Sequence, residues 1–262
     1  MSAQLENCVQ LTEEQLQSYQ RDGFVLIENL ISEDLLNKLR ERLRDYTHGG
    51  LQNEKLKMQV EPRVKRGELE VSHPGDAYRK IDGLVEGDEV FRELGTHTNI
   101  VSIIEQILGP DLKMFRNSMM LKPPMVGSQK GMHQDSPYWP ITPMDLCSCW
   151  FPLDDATMEN GCMGVLPGAH KKGALPHVNV QDDFVMDEEC YSATEIEFKP
   201  MKAGSGLFFH SLLPHYTAPN KSKNWRRAIA LSYMSSKFKF SRESEGPEYL
   251  HIQGNSYEGC VR

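Results

Sequence analysis

The sequence predicts a mainly β protein, a sandwich or barrel with helices packed against its outside, and three observations carry that expectation. From Pro110 onward the chain breaks into short apolar or alternating runs separated by turn signals. Before it, apolar residues recur at helical spacing. The composition, 39% hydrophobic and 25% charged over 262 residues, allows one sizeable core.

Thr12 stands before Glu13-Glu14-Gln15, a capping pattern that opens a first helix, and Asp22-Gly23 should close it. Phe24 to Leu30 reads as a short strand. Ser32 caps a second helix to about Tyr46, with Leu35, Leu36, Leu39 and Leu43 on one stripe. Residues 48 to 78 mix charges with Gly and Pro and read as surface loop, including the basic stretch Arg63-Val64-Lys65-Arg66. A third helix spans about Thr98 to Leu108 and ends at Gly109-Pro110. Strands are expected at 112–121, 146–153, 162–166, 194–198, 206–210 and 226–236. Asn160-Gly161, Asp154-Asp155 and Asp182-Asp183 read as turns, the acidic pairs with no partner at a telling spacing. One domain over 1–262 is the economical organisation, with a helical layer over 1–110 and the β core over 111–240.

A net charge of −8 argues against nucleic acid as a partner. No signal-peptide pattern, SKL-type terminus or apolar run of roughly 18 residues is visible, so a cytoplasmic protein without membrane contact is expected. Its six cysteines should then stay reduced. Cys147 and Cys149 form a C-x-C pair inside an apolar run, better read as buried thiols than as a metal site.

The chemistry concentrates around His133-Gln134-Asp135. If this segment is extended, alternation points His133 and Asp135 the same way, as two ligands of one metal would require. A distal histidine would complete a 2-His-1-carboxylate triad, leaving positions open on iron(II) for a keto acid and dioxygen. Alone, H-x-D is weak. Support comes from the apolar run after Gly204-Ser205-Gly206, which leads to His210 and His215. Eleven residues after His215 stands Arg226, a permanent cation suited to the far carboxylate of a keto diacid. Arg227 follows it, and alternation alone does not decide which of the two faces inward.

At this point the chain resembles the phytanoyl-CoA dioxygenase family, from roughly Leu11 to Tyr233. The matching stretches include Asp22-Gly23-Phe24-Val25, Lys122-Pro123-Pro124, His133-Gln134-Asp135, Tyr138-Trp139-Pro140, Leu166-Pro167-Gly168-Ala169-His170-Lys171 and Phe208-Phe209-His210-Ser211-Leu212-Leu213. Asn220-Lys221 leading to Trp225-Arg226-Arg227-Ala228 closes the series. The resemblance implies a double-stranded β-helix, the jelly-roll, cupin-like core of iron(II)- and 2-oxoglutarate-dependent oxygenases. It implies His133, Asp135 and His215 as metal ligands and catalytic centre, with His210 the rival third ligand. Arg226 would hold the far carboxylate of 2-oxoglutarate, Thr217 would occupy the hydroxyl-bearing position beside it, and Lys80, Ser118 and Trp150 would line the co-substrate pocket. Ser118 departs from the expected methionine, and the spacing from His133 to Trp150 is one residue short.

Iron(II), 2-oxoglutarate and O2 are the implied cofactors, and a small organic or acyl molecule the implied partner. Related halogenases carry a small residue where Asp135 stands, so hydroxylation is expected here. Tyr138 and Trp139 read equally as core aromatics or as a substrate-pocket wall, while His170 and His177 read as structural histidines. Two other classes compete: a His2Asp zinc hydrolase, which lacks a sequence signal for its general base, and a non-catalytic ligand-binding module. Residues 48 to 80 and 171 to 195 should decide the substrate, and no pattern in them names it.

Overall fold

The computed structural model describes residues 8–180, 183–242 and 246–262. The chain runs α1 (Glu13–Asp22), β1 (Phe24–Ile27), α2 (Glu33–Thr47), β2 (Lys57–Val60), α3 (Pro62–Lys65), β3 (Tyr78–Asp82), α4 (Leu84–Gly87), α5 (Glu89–Gly95), α6 (Thr98–Leu108) and β4 (Leu112–Lys122). It continues through β5 (Lys130–His133), β6 (Ile141–Thr142), β7 (Cys147–Pro152), β8 (Met163–Val165), β9 (His177–Val180), β10 (Asp183–Met186), β11 (Glu197–Lys199) and β12 (Gly206–His210). The last strands are β13 (His215–Thr217), β14 (Arg226–Ser235), β15 (Lys239–Phe240) and β16 (Leu250–Gln253).

The long helices start and stop where their caps lie. The Thr12 hydroxyl and the Gln15 side chain form a reciprocal capping box, and Gly23, at φ 85°, ends α1 in the left-handed region. The Ser32 hydroxyl accepts the Leu35 N–H at the head of α2. Leu35, Leu39 and Leu43 then face inward with Ile100, Ile103 and Ile104 of α6.

Two antiparallel sheets carry the fold. The larger has the order β1-β12-β7-β14-β4-β3-β2, with β16 also paired to β4, and the smaller has the order β11-β8-β13-β5. Successive side chains of a strand point to opposite faces, so each long strand serves two environments. On one face, Met119, Leu121, Phe151, Phe208, Ile229 and Leu231 join the helical leucines and isoleucines in the largest core cluster. On the other, Trp150, Leu207, Phe209 and Ala228 pack with Met163 and Val165 of the small sheet. The interval between the sheets is where the chemistry-bearing residues meet.

Residues 48 to 78 are more ordered than a surface loop. They contain β2, which pairs with β3, and α3, which takes up Arg63, Val64 and Lys65. β2 ends the sheet and is largely exposed, so it lacks the apolar alternation that reveals a strand with one buried face. The basic residues of α3 are exposed, as expected of a solvated stretch. In the expected strand 194–198, Ser192 and Glu195 form a capping box over a short 3-10 turn, which delays β11 to Glu197. The hairpin β9–β10 also escapes the sequence reading. Asp182 and the first seven residues lie outside the described residues.

All six cysteines are free thiols, and Cys147 and Cys149 are buried on β7. Burial pushes the Cys147 thiol up to about 12, which makes it an inert packing group. No helix among the described residues is long and apolar enough to cross a membrane. Phe151, fully buried between sheet and helices, tests this layering. Phe151→Ala should lower the unfolding free energy by about 3–5 kcal/mol, read by urea denaturation.

Candidate active site

In the small sheet the β13–β5 register sets His215 directly opposite His133, with ring centroids 4.1 Å apart. The Nδ1 of His133 lies 2.8 Å from the Gly131 carbonyl, and that of His215 lies 3.0 Å from the Leu213 carbonyl. A carbonyl only accepts, so each Nδ1–H donates and each Nε2 is the ring nitrogen left to meet a metal. Burial, reinforced by His215, holds His133 well below the usual histidine range, so it is neutral at physiological pH.

Asp135 arrives by another route than strand alternation. β5 stops at His133, and Asp135 has helical dihedrals, φ −78° and ψ −48°, at the head of a 3-10 turn over Ser136–Tyr138. The Ser211 carbonyl accepts the N–H of Asp135 at 2.9 Å and that of Ser136 at 3.0 Å. The Ser136 hydroxyl also donates to Ser211 Oγ at 2.6 Å. A pinned turn therefore delivers the carboxylate, with Oδ1 3.7 Å from His133 Nε2. Ligand atoms of His133, Asp135 and His215 all lie within 4.8 Å of one another. Two imidazoles and one carboxylate suit a divalent iron bound on one face. His210 stands apart, with its Nε2 2.9 Å from Asp145 and its Nδ1 accepting the Leu212 N–H.

Gln134, between the two proximal donors, is fully buried. Its amide nitrogen donates to the carbonyls of Gly173 and Leu212 at 2.8 and 2.7 Å, and its oxygen accepts the Leu175 N–H. Its own N–H donates to His177 Nε2 at 3.1 Å, which gives His177 a structural place.

A cavity of about 370 Å³ adjoins the three donors, and Lys80, Ser118, Trp150, Thr217 and Arg226 all line it. So do Tyr138 and Trp139. Arg226 is 1% exposed and donates one hydrogen bond, from Nη1 to the Met120 carbonyl at 3.2 Å. Its Nε has no partner. Burial lowers its pKa to about 10, and its guanidinium lies 5.5 Å from the Trp150 ring. Arg227 faces the other way. Its Nε and Nη2 donate to Asp154 at 2.8 and 2.6 Å, which resolves the choice between the two arginines geometrically. The acidic pairs therefore do have partners: Asp154 takes Arg227, Asp155 takes Lys202, and Asp183 takes Lys130 from the head of β10.

Lys80 and Ser118 are tied to Asp82, at 2.9 Å for the ammonium. The sequence reading missed Lys122, which is 5% exposed and pairs with Arg226 in the β14–β4 ladder. Its ammonium donates to the carbonyls of Thr217 and Ala218. Burial, then Arg226, pushes it well below the usual lysine range. Its one sequence signal was a cation directly after the apolar run Met119-Met120-Leu121.

A family model described as phytanoyl-CoA dioxygenase (PhyH) matches residues 19–228. The chain belongs to the phytanoyl-CoA dioxygenase family. Membership carries the enzyme class, an oxygenase dependent on iron and 2-oxoglutarate. The peroxisomal phytanoyl-CoA dioxygenase of Mus musculus is 30% identical over 98% of this chain and 75% of its own length. The Homo sapiens protein of that name is 29% identical over the same shares. Among solved structures, the non-heme monooxygenase ThoJ superimposes with a TM-score of 0.71 at 20% identity, covering 94% of this chain and 85% of its own. The epimerase SnoN, solved with Fe3+, alpha ketoglutarate and a nogalamycin compound, gives a TM-score of 0.69 at 20% identity, over 94% and 95%.

The Gln134 contacts set an expectation for this family member's stability. Gln134→Leu leaves two half-buried carbonyls and a half-buried N–H unpaired, and should lower the metal-free unfolding free energy by about 2–4 kcal/mol in chemical denaturation.

Proposed function

We propose that this oxygenase hydroxylates an unactivated C–H bond of a small organic or acyl substrate and releases succinate and CO2. His133, Asp135 and His215 are the proposed ligands of iron(II). The observation that carries the reading is the buried guanidinium of Arg226, without a carboxylate partner, in the cavity that the three donors border. A buried cation left in this state favours an anion delivered from outside. Iron(II) with 2-oxoglutarate and O2 would supply an oxidant strong enough for such a bond. The chain's own residues bind and orient: Arg226 takes the far carboxylate, Thr217 and Trp150 flank it, and Lys80 and Ser118 line the approach. The aromatic wall of Tyr138 and Trp139 keeps bulk water from the substrate side.

The reading extends to the whole chain as one domain over 1–262 with a double-stranded β-helix core. Free thiols throughout support a reducing compartment, which we read as the cytosol. A zinc hydrolase would need a general base beside the metal, and among the described residues Asp135 is the one carboxylate that lines the cavity.

Three measurements test the proposal. Arg226→Ala should raise the KM for 2-oxoglutarate by a factor equivalent to about 2–5 kcal/mol, with Arg227→Ala far milder. Equal effects of the two would sink the assignment. His215→Ala should abolish Fe(II) binding in calorimetry and His210→Ala should retain it; the reverse would make His210 the ligand. With a substrate in hand, labelled O2 should place one oxygen atom in the alcohol and the other in succinate; an organic product that carries no new hydroxyl group would reject hydroxylation, and an unlabelled alcohol would mark exchange of the transferred oxygen with water.

A further inference from the structure

The cavity holds more positive charge than the proposed co-substrate accounts for. Six cations line it, Arg79, Lys80, Arg116, Lys122, Lys130 and Arg226, against the single carboxylate of Asp135. Behind the lining, Asp82 and Asp183 answer Lys80 and Lys130, and buried Glu61, held by Ser128, bears on Lys122, so the surplus sits on Arg79, Arg116 and Arg226. Iron(II) and a doubly negative keto diacid cancel each other, so they leave this surplus unchanged. The Arg79 side chain makes no hydrogen bond or ion pair among the described residues.

The surplus also has a location. Arg226 pairs with Lys122 at one end of the β14–β4 ladder, while Arg116 pairs with Ser232 six residues further along β14. At about 3.3 Å of rise per residue, those rows are roughly 20 Å apart, far beyond the length of a five-carbon diacid. Arg116 and Ser118 share a strand face, so both project toward the cavity from the same side. The Arg116 guanidinium lies 5.9 Å from the Trp139 ring centroid and donates to Ser118 Oγ at 2.8 Å. Its distance to Asp82 is 3.7 Å, and that carboxylate is already engaged by Lys80, Ser118 and Gln59. Trp139 is 7% exposed, and its indole Nε1 is buried without a partner. Arg116 is thus held by an aromatic face and a hydroxyl with guanidinium edge to spare, the state of a fork ready for an oxyanion.

We propose that the primary substrate carries an oxyanion, a carboxylate or a phosphate ester, and that Arg116 is the residue that selects it. This rests on the oxygenase reading of the same cavity. Two cationic poles would then divide the labour along one sheet face: Arg226 orients the co-substrate, and Arg116 draws the substrate's anionic end to the far side of the metal ligands. Even lone pairs on a neutral substrate would leave the surplus charge unanswered, so selection falls between charged and uncharged molecules of one shape.

The test uses the full chain loaded with Mn(II) and 2-oxoglutarate, titrated calorimetrically with octanoate, octyl phosphate and octanol. At least one anion should bind on the order of 10- to 100-fold more tightly than octanol. Arg116→Gln should erase that preference and Arg116→Lys should keep part of it. Which anion wins distinguishes a carboxylate from a phosphate-bearing substrate. Octanol binding as well as both anions, no binding by either anion, or an unchanged preference in R116Q overturns the proposal. Binding of 2-oxoglutarate by the unaltered Mn(II) protein is read first in the same cell. Its absence sinks the oxygenase reading itself, whereas its presence without an anion preference sinks only the role of Arg116.

Discussion

The two-residue period that the β14–β4 ladder keeps from Arg226 to Ser232 is the constraint on which everything else rests. β4, β7 and β14 must each satisfy a water-free apolar layer on one face and a polar cavity on the other. Met119, Leu121, Phe151, Ile229 and Leu231 meet the helices, while Ser118, Met120, Trp150, Arg226 and Ala230 meet the cavity. A slip of one residue in the β14–β4 register would bury Ile229 among cations and drive Arg226 into leucines. The helical layer therefore does more than cover the sheet, since its apolar demand locks the register that aims Arg226.

That lock explains how the fold accommodates a guanidinium that is 1% exposed. The cost of desolvating it is borne by the surrounding apolar packing, and Arg227 offsets part of it by closing its own ion pair with Asp154 on the opposite face. Lys122 beside it is held by two backbone carbonyls instead of a carboxylate, so neither cation forms an ion pair within the described chain. The two side chains form a preorganised receptor whose attraction for an anion costs no rearrangement on binding.

Much of this was legible from the sequence where the signal was local. Thr12, Ser32 and Gly23 mark helix ends through caps made within a few residues, and the strands over 112–122 and 226–235 announce themselves by length and apolar content. His133, Asp135 and His215 could be singled out as chemistry, yet the way Asp135 joins them could not. Its turn is held by Ser211, some 75 residues away in sequence, and no local pattern records such a bond. β2 and β9 were invisible because both are largely exposed, so neither face imposes an apolar rhythm, and four-residue β10 buries only Met186 fully. The choice between Arg226 and Arg227 likewise waited on Asp154, a residue whose partner lies on a distant strand.

The anchoring of Gln134 has a consequence for how such a site can diversify. Its side chain and backbone bind Gly173, Leu175 and His177 at the root of the β9–β10 hairpin, and the same hairpin returns Asp183 to Lys130 and the Phe184 carbonyl to Tyr138. The hairpin that backs Lys130 and Tyr138 of the cavity wall is thus bolted to the segment that carries two of the three donors. Reshaping the entrance for a new molecule would strain the donors' placement unless the root of the hairpin stayed as it is. The root of the hairpin thus acts as part of the scaffold that holds the donors.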